Sequence, residues 1–269
     1  MSDRDIEFLE KLMDDADIIF IDEGQKVKTI GQTIKLLVDH YKEKKQVLVT
    51  GSSSFNLLDK TQEALTGRKR VYNLYPLSFP ELYPKKDRLQ IAKELETHLI
   101  YGSYPDVINQ KGFSEKREAL EELASSQLYR DILEFIVFRL PPYFSNKRKE
   151  ITKLKKIYFF DVGIRNILIN NLNLLDTRSD AGALWENFLI AERMKKRAYE
   201  KIHSNQYFWR TYDQKEIDLI EERDGKLYGY EFKWNAKKRS PKAPKDWLEA
   251  YSNSSYEVIT LENYFDFIL

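Results

Sequence analysis

The sequence predicts an α/β protein: a partial parallel sheet, then a helical connector, then an α-β-β-β-α-β unit. Three observations predict it. Two short apolar runs, "IIFID" and "QVLVT", are separated by a helical period with no hairpin signal, which means a parallel pair. Residues 88–101 and 113–133 carry helical spacing. From Ala183 onward a helix precedes three strand-like runs punctuated by tight-turn residues.

Residues 5–14 suggest a short helix, and residues 17–22 read as a buried strand. "TIGQTIKLLVDHYKEKK" places Ile30, Ile34, Leu37, Val38 and Tyr41 on one helical face. "QVLVTGSSS" is a second short buried strand ending at Thr50-Gly51, and "LTGRKRVYNLYPLSFPEL" reads as turn, strand and turn. The Pro pair in "FRLPPYF" marks a break, and "KIYFFD" fits a strand or the start of a helix. "ALWENFLIAERMKKRA" is a helix; "QYFWRTY", "KEIDLIEE" and "KLYGYEFKW" are strands; "APKDWLEAY" is a helix, "YEVITL" a strand, and a short helix closes the chain. The expected divisions are 1–87, 88–145 and 146–269.

Composition narrows the function classes. The 269 residues carry 44 basic and 43 acidic side chains, so no global polyanion signal exists. The balance is uneven: from Asn146 onward there are 23 Lys/Arg against 19 Asp/Glu. The absence of cysteine excludes disulfides and thiolate zinc sites and fits a cytoplasmic location. No apolar run approaches the ~18 residues of a membrane span, and the charged start "MSDRDIEFLEKLMDD" is not a signal peptide.

Two constellations carry chemistry. In the tail, period-two alternation puts Glu216 and Asp218 on one face of a strand, and Glu231 and Lys233 on one face of the next. Hairpin pairing can bring Asp218 beside Glu231, with Glu186 of the preceding helix completing the set. Two or three carboxylates in reach suit Mg²⁺ or Mn²⁺, because hard cations prefer oxygen ligands. A neighbouring Lys can steady phosphate charge. The basic runs "NKRKEITKLKK", "RMKKRAYEK" and "KKRSPKAPK", with Tyr and Trp interleaved, fit either a phosphate-backbone surface for nucleic acid or ordinary solvated faces.

At the other end, "DADIIFIDEGQ" runs four apolar residues into Asp22-Glu23. That pattern resembles the magnesium-binding strand of a P-loop ATPase. Such a strand works beside a G-x-x-x-x-G-K-[ST] loop, whose backbone N–H groups curl around phosphates. The one Gly-Lys pair in the sequence, Gly225-Lys226, is followed by Leu227, so the motif is absent from these residues.

The order Asp218, then Glu231-Phe232-Lys233 thirteen residues later, resembles the PD-(D/E)XK nuclease superfamily and implies a restriction-endonuclease-like fold for residues 146–269. Over most of its length the chain resembles a bacterial and archaeal family of AAA-type ATPases with a nuclease-like C-terminal domain of unknown function. The stretches that carry this are "IIFIDEGQ", "VLVTGSSSFNL", "LTGRKRVYNLYPLSFPEL", "YGSYPDVI", "KIYFFDVGIRNIL", "GALWENFL" and "EIDLI…YEFKW". The resemblance implies a partial RecA/AAA-like sheet, Mg²⁺ on Asp22, water activation by Glu23, γ-phosphate sensing by Thr50 or Ser52, and an arginine finger at Arg68 acting across a subunit boundary. It also implies ATP as cofactor, a homo-oligomer or an intact paralogue as partner, and no membrane. Two departures set further expectations. A phosphate-loop segment does not precede Asp22, and Asp131-Ile132 runs straight into Leu133-Glu134 where the family carries a winged helix. The sequence thus reads as a truncated member unable to hydrolyse ATP by itself, with a strand at Asp22 near a sheet edge. The alternatives are a metal-dependent nuclease or nucleic-acid-binding module acting through the C-terminal domain, and an inactive remnant or binding subunit.

Overall fold

The structure is a computed structural model. It describes residues 11, 13, 15–42, 44–51, 65, 67–83, 88–128, 136–144, 155–235 and 241–269. Of the expected helix over 5–14 only Lys11 and Met13 are described, both helical; its other residues, Ser52 and the junction at Asp131–Glu134 lie outside the described residues. The chain divides into two compact units, Met1–Tyr72 and Asn73–Leu269. Residues 88–128 therefore belong to the second unit together with the C-terminal sheet.

In the first unit, strand β1 (Ile18–Ile21) pairs in parallel with β2 (Gln46–Val49), and helix α1 (Ile30–Tyr41) crosses between them. A parallel pair needs such a crossover. Ile30, Ile34, Leu37 and Tyr41 recur at helical spacing and are buried against Ile19, Ile21, Val47 and Val49. The helix ends at Lys42, whose φ of 49° no helix can continue. Both runs read as buried strands in the sequence. The structure buries one face: Ile18 is 53% and Phe20 61% exposed, with Leu48 beside them. Apolar residues on both faces require cover on both sides, and α1 covers a single face. Among the described residues β1 has one strand partner, β2.

The second unit opens with two exposed residues, Asn73 and Leu74. The strand expected within residues 65–82 does not form among the described residues. Instead α2 (Phe79–Leu82) begins at Ser78 with a capping box completed by Glu81. Helices α3 (Arg88–Tyr101), α4 (Pro105–Ile108) and α5 (Phe113–Leu128) follow. Strand β3 (Val137–Leu140) pairs antiparallel with β4 (Lys156–Phe159), which leads into α6 (Val162–Leu168). Then come α7 (Ala181–Tyr199), β5 (Asn205–Arg210), β6 (Glu216–Arg223), β7 (Lys226–Phe232), α8 (Lys245–Ala250), β8 (Ser254–Ile259) and α9 (Tyr264–Ile268). The four C-terminal strands form one sheet in the order β5-β6-β7-β8, antiparallel except for β7-β8. This is a mixed α/β architecture.

Both faces of that sheet are covered. Leu184, Trp185 and Phe188 of α7 and Phe265 and Phe267 of α9 pack against Leu219, Tyr230 and Phe232. On the other side Trp247 and Tyr251 pack against Trp209, Ile217, Ile220 and Leu227. Buried polar groups tie the earlier segments on. Asp161 caps α6 through the Ile164 N–H (3.1 Å) and also accepts from the Ser103 N–H (2.7 Å) and hydroxyl (3.0 Å). The fit requires glycine twice: a Cβ on Gly102 would lie 2.1 Å from an Asp161 oxygen, and one on Gly163 2.1 Å from the Tyr101 carbonyl oxygen. Asn166 donates to the Leu99 and Ile100 carbonyls at 2.9 Å. On α7, Glu192 accepts the Phe79 N–H (2.8 Å), while the Lys195 ammonium donates to Glu192 (2.7 Å) and the Leu77 carbonyl (3.2 Å).

Candidate metal centre

A β-bulge sets the centre. Tyr207 faces Ile220 and Trp209 faces Ile217, so one residue of β5, Phe208, opposes two of β6, Asp218 and Leu219. Strict alternation would send Asp218 and Glu221 to opposite faces of the sheet. With the extra residue both meet α7. Asp218 joins Glu186, and Glu221 accepts from Arg193 Nε and Nη2 at 2.8 Å each. Ile217 and Ile220 stay on the far side with Trp247.

One carboxylate oxygen from each of Glu186, Glu216 and Asp218 lies within 4.8 Å of the others. Glu186 comes from α7, which the neighbouring Asn187 fastens to β4 by donating to the Phe159 carbonyl (2.8 Å) and accepting its N–H (3.0 Å). Asp218 is buried and accepts the N–H of Phe232 at 2.9 Å, which sets it against the end of β7 where Glu231 lies. Lys233 donates to Glu231 Oε1 at 2.6 Å, and Glu231 Oε2 is buried with no hydrogen-bond partner. Of the expected metal set Glu186, Asp218 and Glu231, the first two are in the close group; its third member is Glu216, and Glu231 lies beside it with Lys233.

Two further participants come from β4. Lys156 Nζ is 2.9 Å from Glu186 Oε1 and 3.7 Å from Asp218 Oδ1, and it contacts Glu216 Oε1. The Tyr158 hydroxyl donates to Glu186 Oε1 at 2.5 Å. Neither residue is singled out by the sequence argument. Lys156 hides in a basic run, and its partners lie 30 or more positions away. Glu216 carried a signal, its shared face with Asp218.

Burial, then the charges of Glu186 and Glu231, push the Asp218 carboxyl up to about 8. Burial pulls Lys156 down, but Glu186, Asp218 and Glu216 outweigh it and hold the ammonium above its usual range. Burial and the Glu186 charge raise the Tyr158 hydroxyl, which keeps it a donor. The donor set is all oxygen and rich in negative charge, so it fits Mg²⁺ or Mn²⁺. A cavity of about 530 Å³ opens alongside, lined by Glu216, Glu231, Lys215, Lys242, Lys245 and Tyr256.

The basic runs divide. Of "RMKKRAYEK", Arg193 and Lys195 are core residues bound to Glu221 and Glu192 and face no solvent. A helix packed on a sheet turns these positions inward, and carboxylates meet them there. Lys242 and Lys245 remain at the cavity. Most of the other two runs lies outside the described residues.

In the first unit, the Thr50 hydroxyl donates to Asp22 Oδ1 at 2.5 Å, so the ends of β1 and β2 are joined. Glu23 follows at φ 52° and accepts from Gln25 Nε2 at 3.0 Å. Arg68 is paired with Asp39 of α1.

Residues 2–83 match the model of an AAA domain, and residues 181–266 match a domain of unknown function, DUF4143. An uncharacterized protein of Mycobacterium tuberculosis and one of Mycobacterium bovis are each 24% identical over 261 residues, covering 80% of this chain. An uncharacterized protein of Methanocaldococcus jannaschii is 26% identical over 163 residues, covering 56% of this chain and 32% of its own length. The chain spans 58% of the length of the mycobacterial relatives. No solved structure gives a significant match. Among the described residues no helix is long and apolar enough to cross a membrane.

Proposed function

We propose, for a chain that carries an AAA domain followed by a DUF4143 domain, that the second domain is a divalent-cation-dependent module of restriction-endonuclease-like build acting on the phosphodiester backbone of nucleic acid. The observation that carries this reading is the meeting of Glu186, Glu216 and Asp218 oxygens within 4.8 Å. Glu231 and Lys233 stand alongside. Glu186, Glu216 and Asp218 would hold Mg²⁺ or Mn²⁺, with Glu231 in reserve. A bound ion of this kind polarises a phosphoryl oxygen and lowers the pKa of water. Lys233, its ammonium raised above the usual range by Glu231 despite burial, would meet phosphate charge. Lys215, Lys242 and Lys245 at the cavity supply further cations for a polyanion.

Supercoiled plasmid incubated with Mn²⁺ tests this. Nicking by the native chain should be lost on adding chelator and in Asp218→Asn/Glu186→Gln. Nicking that survives the double variant, or none by the native chain, would remove the reading.

A second reading concerns the AAA domain. The contact between Asp22 and Thr50 supports a magnesium-side half of a nucleotide site. Arg68, engaged by Asp39, would have to leave that pair to act on a neighbouring subunit's nucleotide. The phosphate-loop motif is absent from these 269 residues, so the other half of such a site would come from sequence outside them, in the same polypeptide or in another, such as an intact paralogue.

A further inference from the structure

The carboxylate centre holds a cation of its own, and the inference drawn from it rests on the reading of Glu186, Glu216 and Asp218 as a metal centre. Lys156 Nζ touches all three carboxylates: 2.9 Å from Glu186, 3.7 Å from Asp218, and in contact with Glu216. Its side chain is 21% exposed, so the charge sits where solvent screens it incompletely. Glu216 has a second cation in Arg210 Nε at 3.3 Å, and Lys233 is taken by Glu231. Each carboxylate that would share a divalent ion is therefore already in contact with one ammonium group.

We propose that Lys156 is a resident counter-ion that a divalent cation must displace, so that this lysine sets the threshold for metal loading. The reason is electrostatic. An ion bound to these three carboxylates and an ammonium bound to the same three would be like charges a few ångströms apart in a poorly screened pocket. The two occupancies exclude one another. The metal-loaded form therefore has Lys156 turned outward. The residue opens β4, is partly exposed and has a flexible four-carbon stem, so withdrawal needs side-chain rotation and no strand movement. The ammonium also keeps three neighbouring carboxylates compatible when no metal is bound. Apparent metal affinity is then the intrinsic affinity reduced by the fraction of molecules with the lysine withdrawn.

The test is calorimetric titration of Mn²⁺ into the native chain, Lys156→Met and Lys156→Arg in one buffer. If the lysine is withdrawn in a tenth of molecules or fewer, Lys156→Met binds Mn²⁺ at least about tenfold more tightly than the native chain. Adding Asp218→Asn abolishes that gain, and Lys156→Arg, which keeps the charge, binds no more tightly than native. A cooperative melt in chelator establishes that each variant is folded. Should Lys156→Met fail that check, Lys156→Gln takes its place. Equal or weaker binding by the uncharged variant leaves the metal centre standing and overturns the counter-ion role. No Mn²⁺ binding by native or variant overturns the metal centre itself, and the displacement with it.

Discussion

Arg193 of α7 forks onto Glu221 of β6, with Nε and Nη2 each 2.8 Å from a carboxylate oxygen and neither side chain meaningfully exposed. The third nitrogen, Nη1, reaches the Phe267 carbonyl at 2.8 Å, so one guanidinium joins helix, sheet and C-terminal helix. Removing one partner strands the other charge in the core. Arg193→Met should cost about 3 kcal/mol in urea unfolding, the low end of such losses, because Gln206 still donates to Glu221. Arg193→Met/Glu221→Leu should recover much of it. A single-variant loss below about 1 kcal/mol, the level of an exposed pair, would show that this pair does not hold α7 to the sheet.

His98 gives an acid-side prediction. Burial, then Lys195 and Lys116, lower its pKa to about 3. The unfolded chain takes up a proton below about 6.5, whereas the folded chain does so only near 3. The neutral imidazole therefore contributes stability that is present above about 6.5 and lost as pH falls toward 3, at up to about 1.4 kcal/mol per pH unit. His98→Phe, which can keep the edge contacts with Phe79 and Phe188, should flatten the melting temperature across that window. An unchanged slope would assign the acid sensitivity to other groups.

Gly102→Ala should be among the most damaging small substitutions. The residue sits at φ 75°, and a Cβ would meet Asp161 oxygens at 2.1 and 2.5 Å. Relieving the clash breaks the Ser103–Asp161 contacts. About 3 kcal/mol of lost stability corresponds to a melting shift of roughly 6–12 °C in a unit of this size. Gly182→Ala, where no atom lies within 4 Å, is the matched control and should move the melt little.

Mn²⁺ should raise the melting temperature, because a ligand held by the folded state alone stabilises it. Asp218→Asn/Glu231→Gln should remove or sharply reduce the shift. Since the Asp218 carboxyl titrates near 8, its proton competes with the ion, and the shift should grow as pH rises toward 8. In metal-free buffer the sign reverses: the folded state holds that proton more tightly than the unfolded chain, so this group's stabilisation is lost as pH rises through 8. A Mn²⁺ shift that is flat with pH would locate the ion away from Asp218.

The 269-residue chain by itself should show no ATP turnover in a phosphate-release assay. Mg²⁺ at Asp22 is normally shared with nucleotide phosphates, and one carboxylate with water holds it weakly. Turnover that disappears in Glu23→Gln would contradict this.

Legibility in the sequence tracked periodicity. Ile30, Ile34, Leu37 and Tyr41 mark α1 because one helical face is buried, and the β5–β8 segment alternates visibly between turn residues. What stayed hidden depended on distance or on broken period. The bulge at Asp218–Leu219 leaves no local mark, since both residues suit a strand. Lys156 reads as one basic residue among many until α7 brings Glu186 to it. Arg193 and Lys195 read as surface charge because their partners, Glu221 and the segment at Leu77, come from other parts of the chain. The expected strand near Val71 failed because strand-like residues need a pairing edge, and that stretch is exposed.

The clamp between Ser103 and Asp161 bears on how such chains gain and lose segments. Ile136 lies with Leu120, Val107 and Ile164 in one apolar cluster, so the chain is fastened on both sides of positions 129–135. Whatever length of polypeptide joins Leu120 to Ile136, its ends are held by contacts that do not depend on it. Closing a longer loop costs only about 0.6 kcal/mol for each doubling of its length. A segment of several tens of residues could be inserted or excised there for about the free energy of a single hydrogen bond. The clamped scaffold therefore tolerates a change in the length of chain between Leu120 and Ile136 at little cost.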